Sequence, residues 1–213
     1  MKRRLIYFLA FGFASEVLYL LYKRFRRKKN YSGFKTEVLF FPDKNVACKE
    51  FFTATLGCEK VTCGFSHDTS SLSRLYQNLS NAKESIDVCV YVFTSSHLAS
   101  VLIDSNNKGV HVRLITDSEQ CEQEESQIWR LRSEGVQVRH DESSFFMHHK
   151  FVIIDNKRLI NGSFNWTRQA VIGNQENLII TEEPHVVQAF MQEFTSLWEK
   201  FNPQKRKKLT FQS

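Results

Sequence analysis

From residue 85 to residue 139, short apolar runs alternate with segments of helical periodicity, and few chain architectures accommodate that rhythm. Ile86 to Phe93 is a continuous apolar run of strand length, and 96–106 reads as a helix. His111 to Ile115 alternates apolar positions as a strand does, a polar helix spans about 120–133, and Val136 to Arg139 is a short strand. A strand-helix-strand-helix-strand order predicts an α/β fold with a mixed, largely parallel sheet sandwiched by helices.

The flanking segments extend this layout. Residues 35–41 read as a strand, and Leu72, Leu75, Tyr76 and Leu79 recur at helical spacing. Strands at 151–155 and 158–161 flank an Asn156-Lys157 turn as a hairpin. Asn177 to Thr181 is a further strand, followed by an amphipathic helix carrying Val187, Phe190, Met191, Phe194, Leu197, Trp198 and Phe201 on one face. No internal repeat is visible.

At 213 residues and 42% hydrophobic content the chain can bury a full core. The net charge of +6 suggests a polyanion binder, but its distribution weakens that reading. Nine basic residues lie within positions 1–29, and four more are consecutive from Lys205 to Lys208. Without these two segments the acidic residues outnumber the basic ones, so the folded body is mildly acidic. Nucleic acid would have to be held by a local patch and the basic ends.

Residues 5–22 form an apolar run interrupted by Ser15 and Glu16. As a helix it would span roughly 27 Å, close to the ~30 Å hydrocarbon core of a bilayer. A cleaved signal peptide is the competing reading. The length of the run, the lack of a small-x-small cleavage site and the basic cluster at 23–29 favour an anchor. The positive-inside rule then places the body in the cytosol. The expected organisation is an anchor and basic juxtamembrane segment at 1–29, a folded domain at 30–204 and a basic tail at 205–213.

Five cysteines, an odd number, in a chain expected to face the cytosol argue against a disulfide framework. Cys48, Cys58, Cys63 and His67 cluster within a candidate zinc-finger-like insertion at 45–70. Three thiolates and one imidazole suit a closed, tetrahedral, structural zinc site. Ordinary loop residues are the alternative. Cys89, inside an apolar run, reads as core, and Cys121 as an exposed helical thiol.

The stretch from Met147 to Thr167 concentrates polar residues at strand ends. His148 and Lys150 alternate, so both side chains leave an extended segment on one side and His149 leaves on the other. Gly162, Ser163 and Asn165 follow the second hairpin strand, where a turn could return them to His148. An imidazole nucleophile with an ammonium and an amide on one surface is what phosphoryl transfer requires. Asp155, four strand residues beyond Lys150, reads as a supporting ion-pair or hydrogen-bond partner. For His97, His111, His140 and His185 the sequence pattern suggests no site role, and Trp166 reads as core.

His148, Lys150, Asp155, Gly162, Ser163 and Asn165 fit the pattern HxKx4Dx6GSxN, and the chain resembles the phospholipase D superfamily on that basis. The likeness extends to the anchor, the cysteine cluster, Ile115-Thr116-Asp117 and Gln175-Glu176-Asn177, features of the mitochondrial, single-motif branch. The resemblance implies that His148 forms a phosphohistidine, with Lys150 and Asn165 on the phosphate, Ser163 assisting and Glu176 orienting an imidazole. One motif and no repeat imply a homodimer with a shared site. No metal is required for that chemistry, so zinc would be structural or would help shape the substrate channel. The resemblance further implies a single-pass protein of the mitochondrial outer membrane that cleaves single-stranded RNA in germ-line Piwi-interacting RNA biogenesis and meiosis. The alternative it implies is cardiolipin hydrolysis to phosphatidic acid, promoting mitochondrial fusion.

Overall fold

The computed structural model describes residues 15–23 and 33–205. The chain divides into a unit ending at Phe34 and a second beginning at Lys35. In the first, residues 15–23 are helical (α1). Among the described residues no helix is long and apolar enough to cross a membrane. Most of the expected anchor, residues 5–14, lies outside the described residues, as do 24–29 of the basic cluster and 206–213 of the basic tail.

Among the described residues, the second unit holds seven strands and seven principal helices. In chain order they are β1 (Thr36–Phe41), α2 (Lys49–Thr53), α3 (Ser71–Ser80), β2 (Ser85–Val90), α4 (Ser96–Asn107), β3 (His111–Thr116), α5 (Ser118–Cys121), α6 (Ile128–Ser133), β4 (Gln137–His140), β5 (Lys150–Ile154), β6 (Arg158–Gly162), α7 (Arg168–Ile172), β7 (Glu176–Thr181) and α8 (Pro184–Lys200). They form one sheet in the order β1-β7-β6-β5-β2-β3-β4.

The sheet is mixed, but not largely parallel. Among the strands described, β2–β3 and β3–β4 are the pairs that run parallel, through the helical crossovers that such pairing requires. The β5–β6 hairpin has too short a connection for anything but antiparallel pairing, and β5 joins β2 antiparallel instead of extending beyond β4. β7 and β1 continue antiparallel on the far side.

Period-2 alternation sends side chains to two cores. Ile86, Val88, Val90, Val112, Leu114, Val152 and Ile154 meet Leu72, Leu75 and Leu79 of α3 and Leu98, Val101 and Leu102 of α4. Cys89, Ile115, Phe151, Ile153 and Leu159 meet Val187, Phe194 and Trp198 of α8. α8 thus buries the apolar stripe that its sequence spacing predicts. Ser70 caps α3 in a reciprocal capping box with Ser73, which fixes where that helix starts.

Under α8 a charged pair replaces apolar packing. Arg113 donates through Nε and Nη2 to the two oxygens of Asp87, each at 2.7 Å, linking β3 to β2. The Arg113 guanidinium lies 5.0 Å from the ring centre of Phe194 and 5.3 Å from that of Trp198. Cys89 is core as expected, and so is Trp166, edge-on to Phe93. Cys121, read as exposed, is buried, and its thiol donates to the Asp117 carbonyl. The helix expected at 120–133 is two short helices, because residues 122–126 are polar and supply nothing to bury. α5 therefore ends as a single turn with Cys121 facing inward.

Candidate active site

One edge of the sheet collects the chemistry. Val90 pairs with Lys150, Phe151 with Asn161 and Gly162 with Leu178, so the carboxyl ends of β2 and β6 and the amino ends of β5 and β7 share that edge. His148, Ser163 and Asn165 lie just beyond these ends, and Glu176 opens β7.

Lys150 Nζ stands 3.1 Å from His148 Nδ1, 3.4 Å from its Nε2, and donates to the His148 carbonyl at 2.9 Å. Beneath both is Tyr91, whose ring centre is 4.6 Å from the imidazole and 5.4 Å from Nζ. Burial, then the Lys150 charge, hold the His148 imidazole below its usual pKa; Asp117 opposes this and His149 adds to it. The imidazole is therefore biased toward its neutral form, whose free nitrogen can accept a proton or attack an electrophile. Burial also lowers Lys150, with Glu176 opposing. His149 points the other way, pairing with Glu193 of α8 at 3.4 Å.

Gly162 permits the close approach of β6 and β7, since a Cβ there would collide with the Asn177 carbonyl. Ser163 N–H donates to that carbonyl at 3.1 Å, and Asn177 N–H donates to Ser163 Oγ at 3.2 Å. The Ser163 hydroxyl in turn donates to Glu176 Oε2 in a short hydrogen bond, and Asn174 Nδ2 donates to Oε1 at 3.1 Å. Among the described residues no hydrogen bond joins Glu176 to His148. Asn165 accepts the Val92 N–H through Oδ1 at 3.4 Å, leaving its NH2 as the donating end. Trp166 clamps this segment, donating to Val92 O and accepting from the Thr94 and Ser95 N–H groups.

Asp155 is not at this edge. It ends β5 on the opposite side of the sheet, about 17 Å along the strand from Lys150. Its carboxylate accepts backbone N–H groups of Lys83, Glu84 and Ser85 at 2.7–3.0 Å. Burial works to raise its pKa, but these donors outweigh burial and hold the carboxyl below its usual value. Asp155 and Asn156 have φ of 52° and 53°, so they are the central residues of the turn, in place of Asn156-Lys157. Asp and Asn tolerate this left-handed conformation better than other non-glycine residues.

Sequence reading missed Tyr91, whose polar-tipped ring at the end of an apolar strand was the available signal. It also passed over a depression of about 410 Å³ beside His148, where Phe145 and Phe146 are exposed.

Cys48, Cys58, Cys63 and His67 place one ligand atom each within 4.8 Å of one another. Cys63 Sγ is 3.7 Å from Cys48 Sγ, and thiolates on tetrahedral zinc at ~2.3 Å are separated by about 3.8 Å. An Ala47–Ser66 bridge closes the segment that carries them, and the His67 ring stacks on Phe51 at 4.3 Å. The donor set and its spacing fit a zinc ion.

Residues 75–198, more than half of the chain, match the family model described as "Cardiolipin synthase, PLD-like domain". The chain belongs to the phospholipase D-like family. It is 42% identical over 177 residues to a Homo sapiens protein named mitochondrial cardiolipin hydrolase, covering 80% of this chain and 70% of that one. A Chlamydomonas reinhardtii protein of the same name is 41% identical over 169 residues, covering 79% and 75%. The structure also resembles a phospholipase D family member, Nuc of Salmonella typhimurium, with a TM-score of 0.63 at 22% identity over 79% of this chain and 97% of that one. That likeness supports the fold. As a member of this phospholipase D-like family, the chain is a hydrolase of phosphodiesters.

Proposed function

We propose that this phosphodiesterase works through a phosphohistidine on His148 at a site completed by a second copy of the chain. The observation that carries the reading is the approach of Lys150 Nζ to 3.1 Å from the His148 ring, on the edge that also holds Asn165 and the Ser163–Glu176 pair. A neutral His148 nitrogen attacks phosphorus, and the bond to the leaving oxygen breaks as that oxygen takes a proton from the partner's His148. Water then gives a proton to that imidazole while its oxygen attacks phosphorus and the P–N bond breaks, restoring both rings. Lys150 and the Asn165 amide hold the equatorial oxygens. Glu176, itself held by Ser163 and Asn174, supports the Lys150 ammonium and faces an imidazole across the dimer.

In this reading the substrate is single-stranded RNA, cut at the mitochondrial outer membrane in Piwi-interacting RNA biogenesis, with an N-terminal anchor and the body in the cytosol. The open site supports it: a strand can lie across an exposed edge and be cut internally, with aromatic rings close to the nucleophile. The names of the relatives favour a second reading, cardiolipin hydrolysis to phosphatidic acid. The zinc, held by Cys48, Cys58, Cys63 and His67, stabilises the 45–70 segment and takes no part in the reaction.

The test is to incubate the full-length chain in detergent with end-labelled single-stranded RNA and with cardiolipin vesicles, beside His148→Asn. RNA cleavage lost in the variant supports the first reading; phosphatidic acid release without RNA cleavage supports the second. A variant as active as its parent would sink the histidine mechanism. Light scattering that finds an active monomer would sink the shared site.

A further inference from the structure

β3 ends at Thr116, and the residue after it, Asp117, is 2% exposed. Asp117 Oδ2 accepts the Met147 N–H at 3.0 Å, and Oδ1 accepts the Glu119 N–H at 3.0 Å. A buried carboxylate is thereby fastened to the backbone one residue before His148. Buried carboxylates are costly unless their lone pairs are satisfied, so this one fixes the loop where it is satisfied.

The same short segment also grips the ring beneath the imidazole. Thr116 Oγ1 donates to the Tyr91 carbonyl at 3.1 Å, and Gln120 Nε2 donates to the Tyr91 hydroxyl at 3.3 Å. Asp141, also 2% exposed, steadies the loop further back by accepting the Ser118 and Ser143 N–H groups at 2.9 and 3.3 Å. The end of β3 thus holds both the backbone leading into His148 and the aromatic surface on which it rests.

We propose that Asp117 is a positioning residue for this phosphodiesterase, fixing His148 through the Met147 backbone and supporting its imidazolium when His148 serves as the acid. The proposal rests on the reading of His148 as nucleophile and acid. Lys150 and His149 on the His148 segment oppose the imidazolium, and Asp117, from the end of β3, favours it. Removing the Asp117 charge therefore lowers the tendency of His148 to hold a proton. Asp141 anchors the same loop through Ser118 and Ser143, whereas Met147 is held by Asp117, so Asp141 separates loop anchoring from the contact that reaches His148.

The experiment compares full-length Asp117→Asn, Asp117→Glu, Asp141→Asn and His148→Asn with the parent in detergent. The activity probe is bis(p-nitrophenyl) phosphate, which avoids the choice between RNA and lipid. Histidine side-chain NMR reads the titration of His148, and thermal melting reads stability. For Asp117→Asn, kcat falls by about tenfold or more with KM little changed, and the His148 titration moves to lower pH. Asp117→Glu keeps the His148 titration near that of the parent, and this arm remains informative if the asparagine variant does not fold. Asp141→Asn lowers the melting temperature without moving the titration. A folded Asp117→Asn with parental kcat and titration overturns the proposal, as does a loss of activity in both Asp117→Asn and Asp141→Asn that only tracks melting. Activity surviving in His148→Asn marks failure of the underlying reading instead.

Discussion

Lys150 Nζ lies 3.1 Å from Nδ1 of His148 and is pinned there by the His148 carbonyl at 2.9 Å. Its charge helps hold the imidazole below its usual pKa. Replacing Lys150 with Met removes that charge, so the His148 pKa rises and the acid limb of the rate profile moves to higher pH. In the proposed mechanism a phosphate donor is lost as well, so activity at the optimum falls by about 10²–10³. Histidine NMR titration and a pH–rate profile measure the two effects, and an unmoved titration would contradict the electrostatic account.

The Ser163 hydroxyl sits between the Asn177 N–H and the Glu176 carboxylate. Ser163→Ala leaves the carboxylate with Asn174 alone, so its orientation toward Lys150 loosens. The expected result is a fall in kcat of about tenfold, with KM within a factor of two, because the loss is felt in the transition state. Steady-state kinetics on a small phosphodiester decides it; a rise in KM alone would assign Ser163 to ground-state binding.

Much of this site was legible because it follows strand ends. The spacing of His148 and Lys150 places both on one side of an extended segment, and the apolar runs locate the strands that carry them. Pairing direction was not legible: nothing within β5 says that it joins β2 antiparallel, since that choice is made by contacts between residues 60 or more positions apart. Asp155 belongs to the motif by resemblance and reads as a supporting partner four strand residues beyond Lys150; strand length carries it to the opposite edge, where it accepts the Lys83, Glu84 and Ser85 N–H groups. Cys121 was misjudged because a polar neighbourhood hides a single inward-facing turn. Tyr91 escaped because its partners come from distant segments, where local periodicity carries no information.

Asp155 works on the fold. Asp155→Ala strands the N–H groups of Lys83, Glu84 and Ser85, at a cost of about 1–2 kcal/mol. The native carboxyl is held below its usual pKa, so its contribution is complete above the unfolded value of about 3.9 and is lost as pH falls through the native one. Urea melts of parent and variant should differ most near neutrality and converge in acid. Activity per folded molecule should stay within about twofold; a larger loss would return Asp155 to the site.

The Asp87–Arg113 pair is set beneath α8, with Asp87 3% exposed. Asp87→Ala leaves a partly buried guanidinium unpaired between Phe194 and Trp198, which costs about 3 kcal/mol or more. Replacing both members, Asp87→Leu with Arg113→Met, removes the orphaned charge and should recover most of that loss. A double-mutant cycle in urea reads the coupling. If the double variant is as unstable as the sum of the singles, the pair is not coupled in this way.

The cysteine cluster makes the last prediction. Burial pushes the Cys48 thiol up to about 12, while the Phe65 backbone N–H helps draw Cys63 down to about 7. A dication bound to all four ligands would hold both sulfurs as thiolates. The chain as purified should therefore carry one zinc per copy by elemental analysis. Stripping it with a strong chelator should lower the melting temperature by several degrees, because ion binding contributes to folding. Cys58→Ser should lose the metal and the same stability. The proposed reaction needs no metal, so activity in the cold should survive chelation. Activity that disappears on chelation while the protein remains folded would give the metal a direct part in the reaction.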